Sequence, residues 1–115
     1  MARAQIAVEL CQNHNGDVEL MKDMVAAAAE SGATYVKMQS IFSEDLTRRD
    51  RFEEGAEGDA ITRPYQPEYD RMKTLDLPPE AHEIFVEECL RYGVLPMTTL
   101  FNVGRLPLVR KSGNW

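Results

Sequence analysis

The sequence predicts an α/β fold with parallel strands, and two observations support this. Three short, apolar and partly β-branched segments alternate with segments whose apolar residues recur at helical spacing. Strands that alternate with helices pair in parallel, because each helix carries the chain back across the sheet in a right-handed crossover. The 115 residues, 43% of them hydrophobic and 28% charged, suffice for one globular domain with a modest core.

The first strand is predicted over residues 5–10, and the polar cluster of residues 12–17 follows it as a loop. The next segment has apolar residues at i, i+3, i+4 and i+7, namely Met21, Met24, Val25 and Ala28. We therefore predict a helix over about 18–31, with Asp17 as its N-cap and Gly32 after its end.

Residues 33–40 are predicted to form the second strand. Residues 41–64 are strongly charged and lack apolar periodicity, which predicts a long surface excursion. The excursion contains three arginines, Arg48, Arg49 and Arg51. They either contact an anionic substrate or another subunit, or belong to a solvated loop. A short helical element over 68–75 follows.

A third helix opens at the Pro78-Pro79 pair, where proline costs little because first-turn N–H groups lack helical partners anyway. Its predicted buried stripe is Ala81, Phe85, Cys89 and Tyr92. Residues 94–100 form the third predicted strand, in which Pro96 predicts an irregularity because it cannot donate to the ladder. Residues 103–111 predict a last helix, interrupted by Pro107.

Three parallel strands leave faces and edges of a sheet uncovered, and a closed (β/α)8 barrel typically takes about 250 residues. We therefore expect residues 1–115 to be the N-terminal portion, about three β/α units, of a (β/α)8 TIM barrel. The alternative is a small three-stranded α/β domain that is complete as given.

The charge, hydropathy and cysteine content of the sequence argue against several classes of protein. The formal net charge of -6 argues against a general nucleic-acid binder, which needs a basic face. The chain has no apolar run near the ~20 residues of a membrane span and no signal-peptide pattern. Cys11 and Cys89 are too few for a disulfide framework, so we expect two reduced thiols in a cytoplasmic protein.

Ligands of parallel α/β folds bind at the carboxyl ends of the strands. The candidates there are Glu9, Lys37, Gln39, Thr98 and Thr99. Strand alternation places Lys37 and Gln39 on one face, pointing into the barrel. An ammonium group there needs an anionic partner. That partner is either a phosphate or carboxylate ligand, or Glu9 in an ion pair that joins the two strands without a ligand.

The loop after the first strand lies at the same end of the sheet. His14 is either a metal ligand or acid/base, or a side chain that orients the turn by hydrogen bonding. Gly16 is expected to supply a backbone conformation that a side chain would forbid, and Asp17 to act as a cap. His82 is interpreted as a surface residue at the opposite end of the barrel.

Four segments in order resemble the sialic acid synthase (N-acetylneuraminate synthase) family. Residues 6–17 (IAVELCQNHNGD) resemble its AEIGxNHNGD opening, and residues 35–40 (YVKMQS) resemble its xVKxQ strand. Residues 69–77 (YDRMKTLDL) resemble the segment before its next helix, and residues 97–101 (MTTLF) its STPF strand end. The family's glycine after EI is Cys11 here, and its proline in STPF is Leu100.

The resemblance implies a barrel that condenses phosphoenolpyruvate with an N-acetylated amino sugar, N-acetylmannosamine or a related one, to a nine-carbon 2-keto sugar acid. Lys37 would bind phosphoenolpyruvate, with Thr99 near the same ligand. Gln39 would line the sugar side, beside a catalytic Glu9. Asn13, His14, Gly16 and Asp17 would form the structural opening motif.

The resemblance also implies parts that this sequence does not contain. These are the later strands, the ligands of a divalent metal (Mn²⁺ or Mg²⁺), and a C-terminal antifreeze-like domain that completes the site of a homodimer. None of the site residues named above is a metal ligand, and we expect residues 1–115 to be inactive alone. A complete non-catalytic anion-binding domain, or another phosphoenolpyruvate-condensing barrel, remain the alternatives.

Overall fold

A computed structural model describes residues 2–47, 49–52 and 64–112. Its sheet has three parallel strands in the order β1-β2-β3. They are β1 (Ala7–Cys11), β2 (Tyr35–Ser40) and β3 (Leu95–Leu100). Each neighbouring pair in space is also consecutive along the chain, as expected when one crossover leads directly to the next strand.

Five α-helices are present in the described part of the chain. They are α1 (Val18–Glu30), α2 (Ser43–Leu46), α3 (Tyr65–Lys73), α4 (Ala81–Arg91) and α5 (Leu106–Ser112). Short 3₁₀ turns lie at Arg49–Arg51 and Val103–Arg105. The predicted helices agree with α1 and α4, whereas α3 begins three residues before the predicted element. The helix predicted over 103–111 is instead a 3₁₀ turn followed by α5, and Pro107 lies in the first turn of α5 without interrupting it.

The core lies between one face of the sheet and the helices α1 and α4. Its buried side chains include Met21 and Val25 of α1, Val36 and Met38 of β2, and Phe85 of α4. Residues of β2 alternate between half-buried and buried, so every second side chain points into this core. The other face of the sheet carries the remaining side chains, among them Lys37 and Gln39 of β2.

The irregularity predicted at Pro96 is not there. β3 pairs with β2 in continuous register from Leu95 to Leu100. Leu95 donates its N–H to Thr34 of the β2 side, and N–H groups alternate in direction along a strand. The nitrogen of Pro96 therefore points away from β2, so the ladder between β2 and β3 loses no hydrogen bond there.

The ladder is instead irregular in β1, where the register shifts between Glu9 and Cys11. Cys11 has a φ of 52°, in the left-handed region that favours glycine. A non-glycine residue thus adopts a conformation at this position that glycine adopts more readily.

Two further expectations are corrected by burial. Tyr92 was expected in the buried stripe of α4, but it follows the last helical residue and is 42% exposed. The excursion after β2 begins with a packed segment, since Ile41, Phe42 and Ser43 are buried. Two apolar residues followed by a serine are too short a run to show a helical or a strand period, so the sequence pattern did not reveal this burial.

Of the three arginines in the excursion, Arg48 lies outside the described residues, and Arg49 and Arg51 are exposed. Cys89 is buried and Cys11 is half-buried, both as free thiols. Among the described helices, none has the length and apolar character needed to cross a membrane.

Candidate active site

Glu9 and Lys37 form the centre of the candidate site. They are partners in the parallel ladder between β1 and β2, so their side chains leave the same face of the sheet. Lys37 Nζ lies 2.7 Å from Glu9 Oε2, and Glu9 Oε1 accepts a hydrogen bond from the N–H of Cys11 at 3.2 Å. Both carboxylate oxygens of Glu9 thus have a partner, and the Lys37 ammonium is held near the carboxyl end of β1.

The ion pair was the ligand-free alternative for Lys37, and it is present. The two side chains are nevertheless 28% and 36% exposed, so solvent reaches the pair and its desolvation cost is modest. An ammonium group in this setting keeps access to an incoming anion, while Glu9 aligns it. The geometry therefore suits both the structural pairing and the binding of an anion.

Gln39 and Thr99 extend the same face toward the carboxyl ends of the strands. They are ladder partners on β2 and β3, two positions beyond the Lys37–Met97 pair. Neighbouring strands lie ~4.8 Å apart and residues of one face repeat every ~6.7 Å along a strand. The structure thus brings the backbone positions of Glu9, Lys37, Gln39 and Thr99 together on one face, spread over three adjacent strands.

The loop after β1 closes over the end of that strand. The side-chain amide of Asn13 donates to Leu10 O at 3.0 Å, and Asn15 adopts a left-handed φ of 53°. Asp17 caps α1, because its carboxylate accepts from the N–H groups of Glu19 and Leu20. These contacts fix the loop's path and leave its side chains engaged in the turn itself.

His14 is the buried centre of this loop, with 2% of its surface exposed. Its Nδ1 accepts a hydrogen bond from the N–H of Gly16 at 3.0 Å, which assigns the proton of the neutral ring to Nε2. Nε2 has no hydrogen-bond partner, and burial lowers the pKa of the imidazole from 6.5. The lone pair needed by a metal is thus used inside the turn, which favours the orienting alternative.

Gly16 is the point at which this loop touches the next one. Its φ is +74°, and a Cβ built there would lie 2.5 Å from Thr74 O and 3.2 Å from Asp76 O. Asp76 in turn accepts at Oδ1 from the N–H of Ser43 (2.8 Å) and at Oδ2 from the hydroxyl of Ser43 (2.7 Å). The turn at 74–76 therefore joins the loop after β1 to the start of α2.

Sequence reasoning missed a second link, between the loops that follow β2 and β3. Arg105 Nε donates to Asp45 Oδ2 at 2.7 Å, and its Nη2 bonds Glu44 Oε1. The guanidinium lies 4.0 Å from the ring centroid of Phe42, and Asn102 donates to Asp45 Oδ1 at 2.8 Å. The Arg105 guanidinium lowers the pKa of the Asp45 carboxyl. The two partners are about 60 residues apart, so no local pattern announces them.

His82 corrects an expectation. It is 1% exposed rather than on the surface, and its Nε2 lies 2.9 Å from the hydroxyl of Ser40, the last residue of β2. The first turn of α4 follows β2 in the chain, so it starts at the carboxyl end of that strand. His82 consequently lies at the same end of the sheet as the candidate site.

A resident metal does not fit the described residues. No group of three or more histidine, cysteine, aspartate or glutamate side chains comes together in the described ranges to hold one. Of the acidic groups nearest the site, Glu9 is committed to Lys37 and to the N–H of Cys11. We therefore derive no chemical step through a metal from these residues.

Comparison with known proteins places this geometry in context. Residues 24–114 match the NeuB family. A curated relative from Legionella pneumophila, named N,N'-diacetyllegionaminic acid synthase, is 36% identical over 98 residues, which are 84% of this chain and 27% of the relative. A protein of the same name from Campylobacter jejuni is 26% identical over 121 residues, covering 98% of this chain and 34% of the relative. The chain thus spans about a third or less of these curated relatives.

Solved structures share the fold. An N-acetylneuraminic acid (sialic acid) synthetase from Leptospira borgpetersenii, in complex with citrate, has a TM-score of 0.73 at 22% identity, covering 97% of this chain and 34% of that one. The spore coat polysaccharide biosynthesis protein SpsE from Bacillus subtilis has a TM-score of 0.63 at 22% identity, covering 96% of this chain and 27% of that one. The predicted fold class, an α/β parallel sheet corresponding to the N-terminal part of the barrel, is confirmed.

Proposed function

We propose, from the premise that this chain belongs to the NeuB family, that it forms part of an enzyme that condenses phosphoenolpyruvate with an N-acetylated amino sugar. The product is a nine-carbon 2-keto sugar acid, and inorganic phosphate is released. Residues 1–115 then supply the first three strands of a longer barrel and part of its site, and are inactive alone.

The observation that carries the proposal is the single face shared by Glu9, Lys37, Gln39 and Thr99. A lysine, an amide and a hydroxyl lie on one face towards the carboxyl ends of the strands, where parallel α/β folds bind ligands. The opposite face of β2 packs against the helices and carries the apolar Val36 and Met38.

Each side chain has a task that its chemistry suits. The Lys37 ammonium neutralises an anionic group of phosphoenolpyruvate, and the Thr99 hydroxyl donates a hydrogen bond to the same ligand. Gln39 donates and accepts on the sugar side. Glu9 aligns Lys37 before the ligand arrives and lies beside the carbon centre that reacts.

The reaction forms one carbon–carbon bond and replaces the carbon–oxygen bond to phosphate by a carbon–oxygen bond to water. The methylene carbon of phosphoenolpyruvate attacks the sugar aldehyde, whose oxygen takes up a proton to become a hydroxyl. Water adds to the carbon that bears the phosphate, and that carbon–oxygen bond then breaks to leave a ketone and inorganic phosphate. Fixed positive charge at the phosphoenolpyruvate end helps orient the anion through these steps.

The relatives' names support a proposal for the class of sugar. Both curated relatives are named for a product with two acetyl groups, N,N'-diacetyllegionaminic acid, and the Leptospira neighbour for N-acetylneuraminic acid. We therefore propose an acceptor of the sialic or legionaminic type, carrying one or two acetamido groups.

The test is phosphate release from phosphoenolpyruvate by the longer protein that carries this chain, with N-acetylmannosamine or a diacetamido sugar as acceptor. Lys37→Ala should lower kcat/KM for phosphoenolpyruvate by about 100-fold or more, because a charge-assisted contact to the anion is lost. Lys22→Ala is the matched control, since it removes a lysine from a surface ion pair with Glu19 on α1.

Unchanged kinetics in Lys37→Ala would contradict the assigned role. If the protein binds phosphoenolpyruvate but releases no phosphate in the presence of any of these acceptor sugars, the result would favour the non-catalytic anion-binding domain instead.

A further inference from the structure

Three side chains form a hydrogen-bonded chain behind the candidate site, on the helix-facing side of the sheet. Ser40 Oγ lies 2.7 Å from Thr98 Oγ1 and 2.9 Å from His82 Nε2. His82 Nδ1 lies 3.2 Å from the carbonyl oxygen of Pro79. Ser40 and His82 are 2% and 1% exposed, so the bond between them is shielded from water, whereas the bonds to Thr98 and to Pro79 are partly buried.

The direction of every bond in this chain follows from the groups at its end. The Pro79 carbonyl can only accept, so His82 Nδ1 carries the proton and donates to it. Burial lowers the pKa of His82 from 6.5, against a smaller opposing effect of the Pro79 bond, which favours the neutral ring. Nε2 is then an acceptor, so the Ser40 hydroxyl donates to it and accepts from the Thr98 hydroxyl.

The hydrogen-bonded chain links two strands and a helix near the carboxyl ends of the strands. Ser40 is the last residue of β2, Thr98 belongs to β3, and His82 lies in the first turn of α4. The ring of His82 is itself held by Phe42, which stacks on it at 6.0 Å between centroids. Strand ends fray first because their last ladder bonds have no neighbours beyond them. The side chains of Ser40, Thr98 and His82 join the ends of these elements, and we call the three the clamp.

The clamp sits next to the site residues along the backbone. Ser40 directly follows Gln39, and Thr98 directly precedes Thr99, which is the ladder partner of Gln39. Neighbouring residues of a strand point to opposite faces, so the clamp and the site share the same stretch of backbone.

We propose that His82, Ser40 and Thr98 are positioning residues that hold Thr99 in the place needed for an anionic enol phosphate, with Gln39 beside it on the sugar side. This role rests on the proposed function for its ligand, but the clamp itself is a property of the ligand-free protein. The three side chains act through the strands and do not touch the substrate.

The experiment compares Thr98→Val, Ser40→Ala and His82→Leu with the unchanged protein, in the longer protein that carries this chain. Thr34→Val is the matched control. Its hydroxyl accepts from the N–H of Ile6 at the opposite end of the same sheet, so it removes one threonine hydrogen bond without touching the clamp. His82→Gln is the rescue variant, because its amide oxygen can still accept from Ser40.

Two quantities are measured: amide hydrogen exchange at Gln39 and Thr99 without ligand, and the Kd for phosphoenolpyruvate. We expect Thr98→Val and Ser40→Ala to speed exchange at both amides and to raise the Kd by about tenfold, the effect of one buried hydrogen bond. His82→Leu should do the same, His82→Gln should restore most of the affinity, and Thr34→Val should leave both quantities unchanged.

The outcomes separate the clamp from the proposed function. If the unchanged protein does not bind phosphoenolpyruvate, the proposed function fails, and the exchange comparison alone still decides whether the clamp exists. Equal exchange in Thr98→Val and Thr34→Val would overturn the clamp. Faster exchange in Thr98→Val with an unchanged Kd would overturn the positioning role and leave a purely structural contact.

Discussion

Replacing Gly16 by alanine should destabilise the protein far more than the same replacement at Gly93, a glycine with nearly the same φ. Gly16 and Gly93 have φ values of +74° and +72°, but a Cβ at Gly93 would meet nothing within 4 Å. Gly93→Ala thus measures the cost of a left-handed alanine alone, about 1 kcal/mol. Gly16→Ala carries the same cost and adds a Cβ placed 2.5 Å from Thr74 O.

The additional cost at Gly16 comes from backbone that cannot rotate away. Ordinary contact begins near 3.4 Å, so the Cβ and the carbonyl oxygen must separate by roughly 0.9 Å, and such overpacking typically costs about 1–3 kcal/mol. Asp76, two residues on, is tied to Ser43, which opposes that movement. We expect Gly16→Ala to lower the free energy of unfolding by about 2–4 kcal/mol in total.

Urea unfolding followed by circular dichroism measures both variants against the unchanged protein, with the slope m compared to confirm a common unfolding transition. A difference between Gly16→Ala and Gly93→Ala of less than about 0.5 kcal/mol would refute the reasoning, because φ alone would then explain both.

Three other expectations concern titration, thiol access and capping. Burial raises the pKa of the Cys89 thiol to about 12, so a thiol reagent should modify only Cys11 before unfolding; fast reaction of a Cys11→Ser variant would contradict this. Burial lowers the pKa of His14 and of His82 from 6.5, so as the pH falls the unfolded chain takes up protons at a higher pH than the folded chain. The free energy of unfolding should therefore have its full value above pH 6.5 and decrease below it. His82→Gln should make that decrease smaller, as measured by urea titrations at a series of pH values. Asp17→Ala should cost about 1 kcal/mol of stability and Asp17→Asn less, since the amide oxygen still caps α1; equal losses in a thermal melt would contradict this.

The spacing of apolar residues along the sequence predicted those helices and strands that bury one side against the core. The helical spacing in α1 and the alternation in β2 both reflect a core on one side, so α1 and the shared face of Lys37 and Gln39 were predicted from them. The N-cap Asp17 is confirmed for the same reason, because capping depends on residues adjacent in sequence.

Long-range contacts were not predictable from the same patterns. His82 is buried by Ser40, 42 residues away, and Arg105 binds Asp45 across 60 residues. Polar residues that satisfy one another in a folded structure look like surface residues in a sequence. The placement of His82 was wrong because α4 carries the chain back to the start of β3, which is parallel to β2, so its first turn lies at the carboxyl end of the sheet.

Pro96 shows the opposite error, since a residue that disfavours strands is accommodated without distortion. Its nitrogen faces away from β2, so the described ladder loses nothing. Sequence shows that a proline lacks a donor, but only the register shows whether that donor was needed.

The backbone carbonyls of Thr74 and Asp76 rest against Gly16 while the Asp76 carboxylate holds Ser43. An insertion or deletion within this turn would displace two loops at once, so it should be among the least tolerant places for a change in chain length. Homologues of different lengths should therefore keep the residue count of this turn constant, even where the residues themselves have diverged.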